Sequence, residues 1–168
     1  MVAAIELVRD QSVITNQEFG LNIDQDGYQF LRLNEKEQDK PPFWELIEDN
    51  PALARYEFAE GLEINFTLDG ENVFSIAEAE VQIFEQELEI FELDEKSKKV
   101  DPPQIYFLST GEQNKFSIGI SAQENDSDSA EDLRFYRVRG FLTGNLEYEG
   151  PLEGSVMQDV DRDYKDDA

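Results

Sequence analysis

The chain has 168 residues, with 39 Asp and Glu against 14 Lys and Arg, a net charge of −25, no cysteine and no histidine. Those counts exclude a disulfide framework, thiolate or imidazole metal sites, cysteine nucleophiles and Ser-His-Asp chemistry. They also oppose contact with phosphate backbones and anionic lipid, so nucleic acid is not an expected partner, while 39% apolar and 11% aromatic residues suffice for one packed domain.

Residues 1–16 read as a helix. At about 100° per residue, Ala4, Leu7, Val8 and Ile14 fall on one face, and Val2, Ile5 and Val13 fall on the opposite face around Arg9. Two apolar faces need two surfaces to pack against. Either both belong to the domain's own core, or the first lies on its own sheet and the second meets another subunit. After Asn16 the period drops to two: Phe19, Leu21 and Ile23 alternate with Gly20, Asn22 and Asp24, and Tyr28 to Leu33 reads as the return strand. The turn between them carries Asp26-Gly27, where glycine accepts a positive φ. Residues 34–42 form a charged loop closed by Pro41-Pro42, and the single tryptophan, Trp44, reads as a lid on the core beneath it.

Asp49-Asn50-Pro51 marks a turn or one helical turn, and Tyr56 and Phe58 begin a strand. Leu62 to Leu68 alternates strictly and ends at the turn Asp69-Gly70. Residues 80–93 fit two strands joined near Gln86. Asp101-Pro102-Pro103 stops whatever precedes it, and the apolar run Ile105 to Leu108 reads as a central strand covered on both faces. Ser109 to Glu112 is a turn and Lys115 to Ala122 another alternating strand. The acidic stretch Gln123 to Asp132 reads as a mobile loop. Leu133 to Leu142 and Asn145 to Tyr148 are the last strand candidates, with Gly140 and Gly144 at bends or bulges. One helix and about eight strands make an α+β chain, a helix packed on antiparallel sheets. The expected boundaries are a globular domain over 1–154, with its helix at 1–16 and β region at 18–149, and an acidic tail over 155–168. Within that tail, Asp163 to Asp167 resembles the start of an epitope tag as much as a native end.

The order of these pieces resembles a known family. The helix running into Asn16-Gln17-Glu18-Phe19-Gly20-Leu21, the hairpin Asp26 to Leu31, and Pro103 to Glu112 followed by Phe116-Ser117-Ile118 are similar to the GspH/FimT-type minor pseudopilins, most of all those of the type II secretion system. The resemblance implies a pilin-like, sandwich-like fold and, outside this sequence, a short leader cut by a prepilin peptidase followed by an apolar helix that anchors the full-length form in the inner membrane. It implies a periplasmic globular domain and a role in a short filament that helps drive folded proteins through the outer-membrane secretin. The partners implied are the other minor pseudopilins and the major pseudopilin, with the secretin and secreted cargo as further candidates. No cofactor, catalytic residue or metal ligand is implied, and Val2, Ile5, Arg9 and Val13 become the candidate assembly face. Residues 78–100 are longer and more acidic than the family pattern leads one to expect, and the segment after Gly150 has no counterpart in it.

Three other functions compete. A carboxylate pair about 5 Å or about 6.5–9.5 Å apart can hydrolyse glycosides, but an acid catalyst needs an apolar pocket, and acids such as Glu63 alternate onto wet strand faces. Calcium could take its oxygens from Asn125 to Asp132, yet that stretch lacks the glycine and terminal glutamate of an EF-hand loop and reads as a solvated acidic loop. An acidic adaptor would recruit basic partners through Glu85 to Glu95 or residues 123–132, where charge for solubility is the simpler account.

Overall fold

The computed structural model describes residues 1–35, 42–73, 100–122 and 134–154. Helix α1 (Val2–Thr15) ends where Asn16 turns into the left-handed region, φ 50° and ψ 47°, with its N–H on the carbonyl of Ser12. Ten strands follow among the described residues: β1 (Phe19–Ile23), β2 (Gly27–Asn34), β3 (Phe43–Leu46), β4 (Tyr56–Glu57), β5 (Leu62–Leu68), β6 (Glu71–Asn72), β7 (Ile105–Phe107), β8 (Phe116–Ala122), β9 (Arg134–Gly140) and β10 (Leu146–Glu153). They form two antiparallel sheets, β3-β2-β1-β7 with β4 also on β2, and β10-β9-β8-β5-β6. The fold is α+β, one N-terminal helix with two antiparallel sheets, as the alternation pattern indicates.

Cross-strand partners share a sheet face, so the register states which side chains form the core. In the first sheet Leu21 opposes Phe30 and Ile105, and Phe19 opposes Phe107. In the second, Phe66, Ile118 and Val138 form one row. These residues, joined by Ile5 and Val8 of α1, make one buried cluster. Burying each such side chain contributes about 1.5–3 kcal/mol relative to leaving it exposed, which lets a chain without disulfides hold its fold by packing.

Several local expectations are corrected. Gly27 has no positive φ; the turn is tied instead by the Asp24 carboxylate, which accepts the N–H groups of Asp26 and Gly27 at 2.9 and 2.7 Å. Glycine is needed there because a Cβ would lie 2.2 Å from the carbonyl oxygen of Tyr56 on β4. The apolar run at 105–108 supplies a three-residue strand at one edge of the described sheet, not a central one. Its run is apolar because Ile105 and Phe107 enter the core while Tyr106, on the other side, meets Trp44 edge to face at 5.7 Å. Trp44 therefore covers the outer face of the first sheet, beside Gly20 and Pro103, and is outside the central cluster. Gly140 makes no bulge: it pairs with both Phe116 and Leu146, and a Cβ there would fall 2.1 Å from the Phe116 ring. The irregularity lies later, between Glu149 and Leu152, and β10 runs five residues past Tyr148, where the strand was expected to stop. The strands expected at 80–93, the acidic loop at 123–132 and the tail at 155–168 lie outside the described residues.

Candidate functional site

Helix α1 was expected to carry the candidate surface. Ile5, Val8 and Ser12 are its fully buried residues, a stripe at spacings of three and four. Ser12 can join it because its Oγ lies 2.7 Å from the carbonyl of Arg9 and 3.2 Å from that of Leu108, so the hydroxyl has a partner away from water. This stripe corrects the expected faces at two positions. Ile5, placed on the assembly face, is fully buried, and Ile14, placed on the sheet face, is 81% exposed. Val8 is buried as expected, Ala4 and Leu7 are half-buried against the core, Val2, also placed on the assembly face, is likewise half-buried against the core, and Val13 is 51% exposed. The apolar residues that α1 leaves uncovered are thus concentrated at its C-terminal end.

That end meets two glycine-containing turns. Arg9 Nη1 donates to the carbonyl of Gly144 at 2.8 Å, and Nη2 reaches Asp10 at 3.2 Å. Gly144, at φ 82°, closes the β9–β10 turn by donating to Phe141 at 2.8 Å; Gly111, at φ 90°, closes the β7–β8 turn by donating to Leu108 at 2.9 Å. The two turns touch so closely that a Cβ on Gly144 would lie 2.2 Å from the carbonyl oxygen of Gly111. Gln113 ties them further, its N–H on Leu142 and its Nε2 on Asn145, both at 3.3 Å. Between the turns and helix residues Arg9, Asp10, Val13 and Ile14 lies an open concavity of about 340 Å³. Leu142, 64% exposed, stands in the same turn as the lining residue Thr143. The sequence marked Gly111 and Gly144 as turns, but nothing in it placed those turns against Arg9.

The second sheet's outer face carries a different constellation. Arg137 and Arg139 on β9 both reach Glu149 on β10 at 2.7 Å, and Arg139 also reaches Glu147 at 3.4 Å. The hydrogen bond from Arg137, with the nearby guanidinium charges, holds the Glu149 carboxyl below its ordinary pKa. That is the opposite of what a general acid requires. Among the described residues no three carboxylates converge as a metal site would need. The acidic stretches 85–95 and 123–132 lie outside the described residues.

No family model matches the chain. Two curated proteins do. The type II secretion system protein H of Pseudomonas aeruginosa is 27% identical over 143 residues, spanning 82% of this chain and 71% of that protein. Its namesake from Vibrio cholerae is 26% identical over 156 residues, spanning 88% and 72%. Two solved structures of the minor pseudopilin EpsH from the Vibrio cholerae type 2 secretion system share the fold. Each has a TM-score of 0.58; identities are 19% and 20%, and they cover 89% and 92% of this chain and 95% of their own. Both curated relatives are type II secretion system proteins, EpsH is a minor pseudopilin, and the pilin-like fold of EpsH is the fold seen here.

Proposed function

We propose that this chain is a minor pseudopilin subunit of a type II secretion pseudopilus. One observation carries the reading: the similarity to the two H proteins and the likeness in fold to EpsH each run over most of the chain, 82% of it in the shortest match and 92% in the longest. On this reading residues 1–154 form one periplasmic domain, held to the inner membrane by a helix upstream of Met1. No helix among the described residues is long and apolar enough to cross a membrane itself. The subunit acts by packing and not by catalysis, joining the other minor pseudopilins and the major pseudopilin in a filament that helps push folded proteins through the secretin. The helix face offered to neighbours is Val13 with Ile14, flanked by Arg9; Ile5 belongs to the core, and Val2, at the other end of the helix, packs against it.

The test is genetic. Deleting the gene in the bacterium that encodes it should trap folded exoprotein in the periplasm, and restoring the gene with its upstream helix should release it. Normal secretion in the deletion strain would overturn the reading.

A further inference from the structure

We propose that the concavity at the end of α1 is a socket for an apolar side chain flanked by lysine or arginine, presented by a different protein and not by a second copy of this chain. The proposal rests on the filament reading and deepens it by stating the chemistry of the neighbour. Single exposed apolar residues are ordinary on a protein surface. Here Val13 and Ile14 line one concavity, and Leu142 precedes its lining residue Thr143 in the chain; the three are 51, 81 and 64% exposed. Its volume of about 340 Å³ falls at the small end of ligand clefts, about 300–1,000 Å³.

The socket is preformed. Arg9 bound to Gly144, the contact of Gly144 with Gly111, and the two bonds of Gln113 fix its floor to both turns. A preformed site loses little ordering entropy when it is filled.

Charge decides the occupant. Asp10 lines the socket, Glu6 lies one turn earlier on the same helix face, Glu112 follows Gly111, and all three are exposed. Arg9 is the sole cation in the lining, and its guanidinium already donates to Gly144 and Asp10. A second copy would bring the same acidic rim, and another −25, against this one. A partner with basic residues around an apolar anchor is instead drawn in and oriented by the same field.

The test uses the ¹⁵N-labelled chain and two synthetic helical peptides with identical leucine positions, one flanked by lysine and one by glutamate. The lysine peptide should shift the amide signals of Val13, Ile14, Gly111 and residues 143–145. Its affinity should fall about tenfold or more in the double variant Ile14→Asp with Leu142→Asp, as expected for removal of an anchor. A comparable fall is expected at about 300 mM NaCl, where exposed charges are screened. Both substituted residues are exposed, so an unchanged melting curve should verify that the variant folds. The double variant Asp10→Lys with Glu112→Lys should reverse the preference toward the glutamate peptide. Equal binding of the two peptides, shifts scattered over the acidic surface, or no binding would each overturn the socket. So would a dimer in sedimentation that Ile14→Asp with Leu142→Asp dissociates. The two readings fail separately: normal secretion after gene deletion removes the filament role whatever the peptides do, and unlocalised or absent binding removes the socket whatever secretion does.

Discussion

Ile5 and Ile14 share a side chain and a helix, yet the protein uses them in opposite ways. Ile5 is enclosed by the core cluster, and Ile14 stands in solvent in the last turn. Ile5→Ala should therefore cost about 2–5 kcal/mol, the lost transfer energy plus the cavity left behind. Ile14→Ala should stay within about 0.5 kcal/mol. Urea unfolding of the two variants separates these outcomes, and equal losses would refute the helix phase described here. The phase was hidden because one polar residue sets it. Read by apolarity, Ser12 belongs to neither stripe. Read by hydrogen bonding, it can be buried because the carbonyls of Arg9 and Leu108 lie within reach of its hydroxyl, and Ile5 and Val8 then fall into line with it.

At the scale of elements, the β9–β10 pair shows how an acidic chain uses its few cations. Arg137 and Arg139 meet Glu149 across the strands, so Glu149 titrates below its ordinary range in the folded state. A carboxylate with a depressed folded pKa adds stability that is present above its unfolded pKa, about 4.3, and is lost as pH falls through the folded value. Glu149→Gln should therefore be less stable than the parent at pH 7, and the difference should shrink steadily below about pH 4. Denaturant midpoints from pH 7 to pH 3 measure it, and a gap that stays constant with pH would show that the ion pairs contribute nothing. Elements of this kind were only partly legible. The hairpin β1–β2 and strands β5 and β8 follow from two-residue alternation on the core face, although Leu31, Asn65 and Ser121 on their other faces are buried too. The place of β7 at the edge of the described sheet and the extension of β10 past Tyr148 depend on partners far away in the chain, which a local pattern does not contain. The socket at Arg9 had its residues visible but not its geometry, since residues 9, 111 and 144 are joined only by the fold.

For the whole molecule, charge is the dominant feature, and its effect on stability can be decided by counting. Fourteen cations can neutralise at most 14 of the 39 acids, leaving an excess of 25 that no arrangement of pairs removes. Exposed pairs such as Arg55–Asp24 contribute about 0–1 kcal/mol each and weaken with salt. The better-buried Arg137–Glu149 contact is screened less. Repulsion among the unpaired acids acts over the whole surface and opposes the compact state. Added salt should relieve more repulsion than it removes attraction. The melting temperature at pH 7 should therefore rise by several degrees between about 10 mM and about 300 mM NaCl, a range over which the Debye length falls from about 30 Å to well under 10 Å. Chloride is the anion to use, since sulfate stabilises proteins by exclusion from their surface whatever their charge. A flat or falling melting temperature would mean that pairing outweighs repulsion even in a chain of this composition. A rising one would mean that a partner supplying lysine and arginine stabilises this fold as it binds, beyond whatever its apolar contacts contribute.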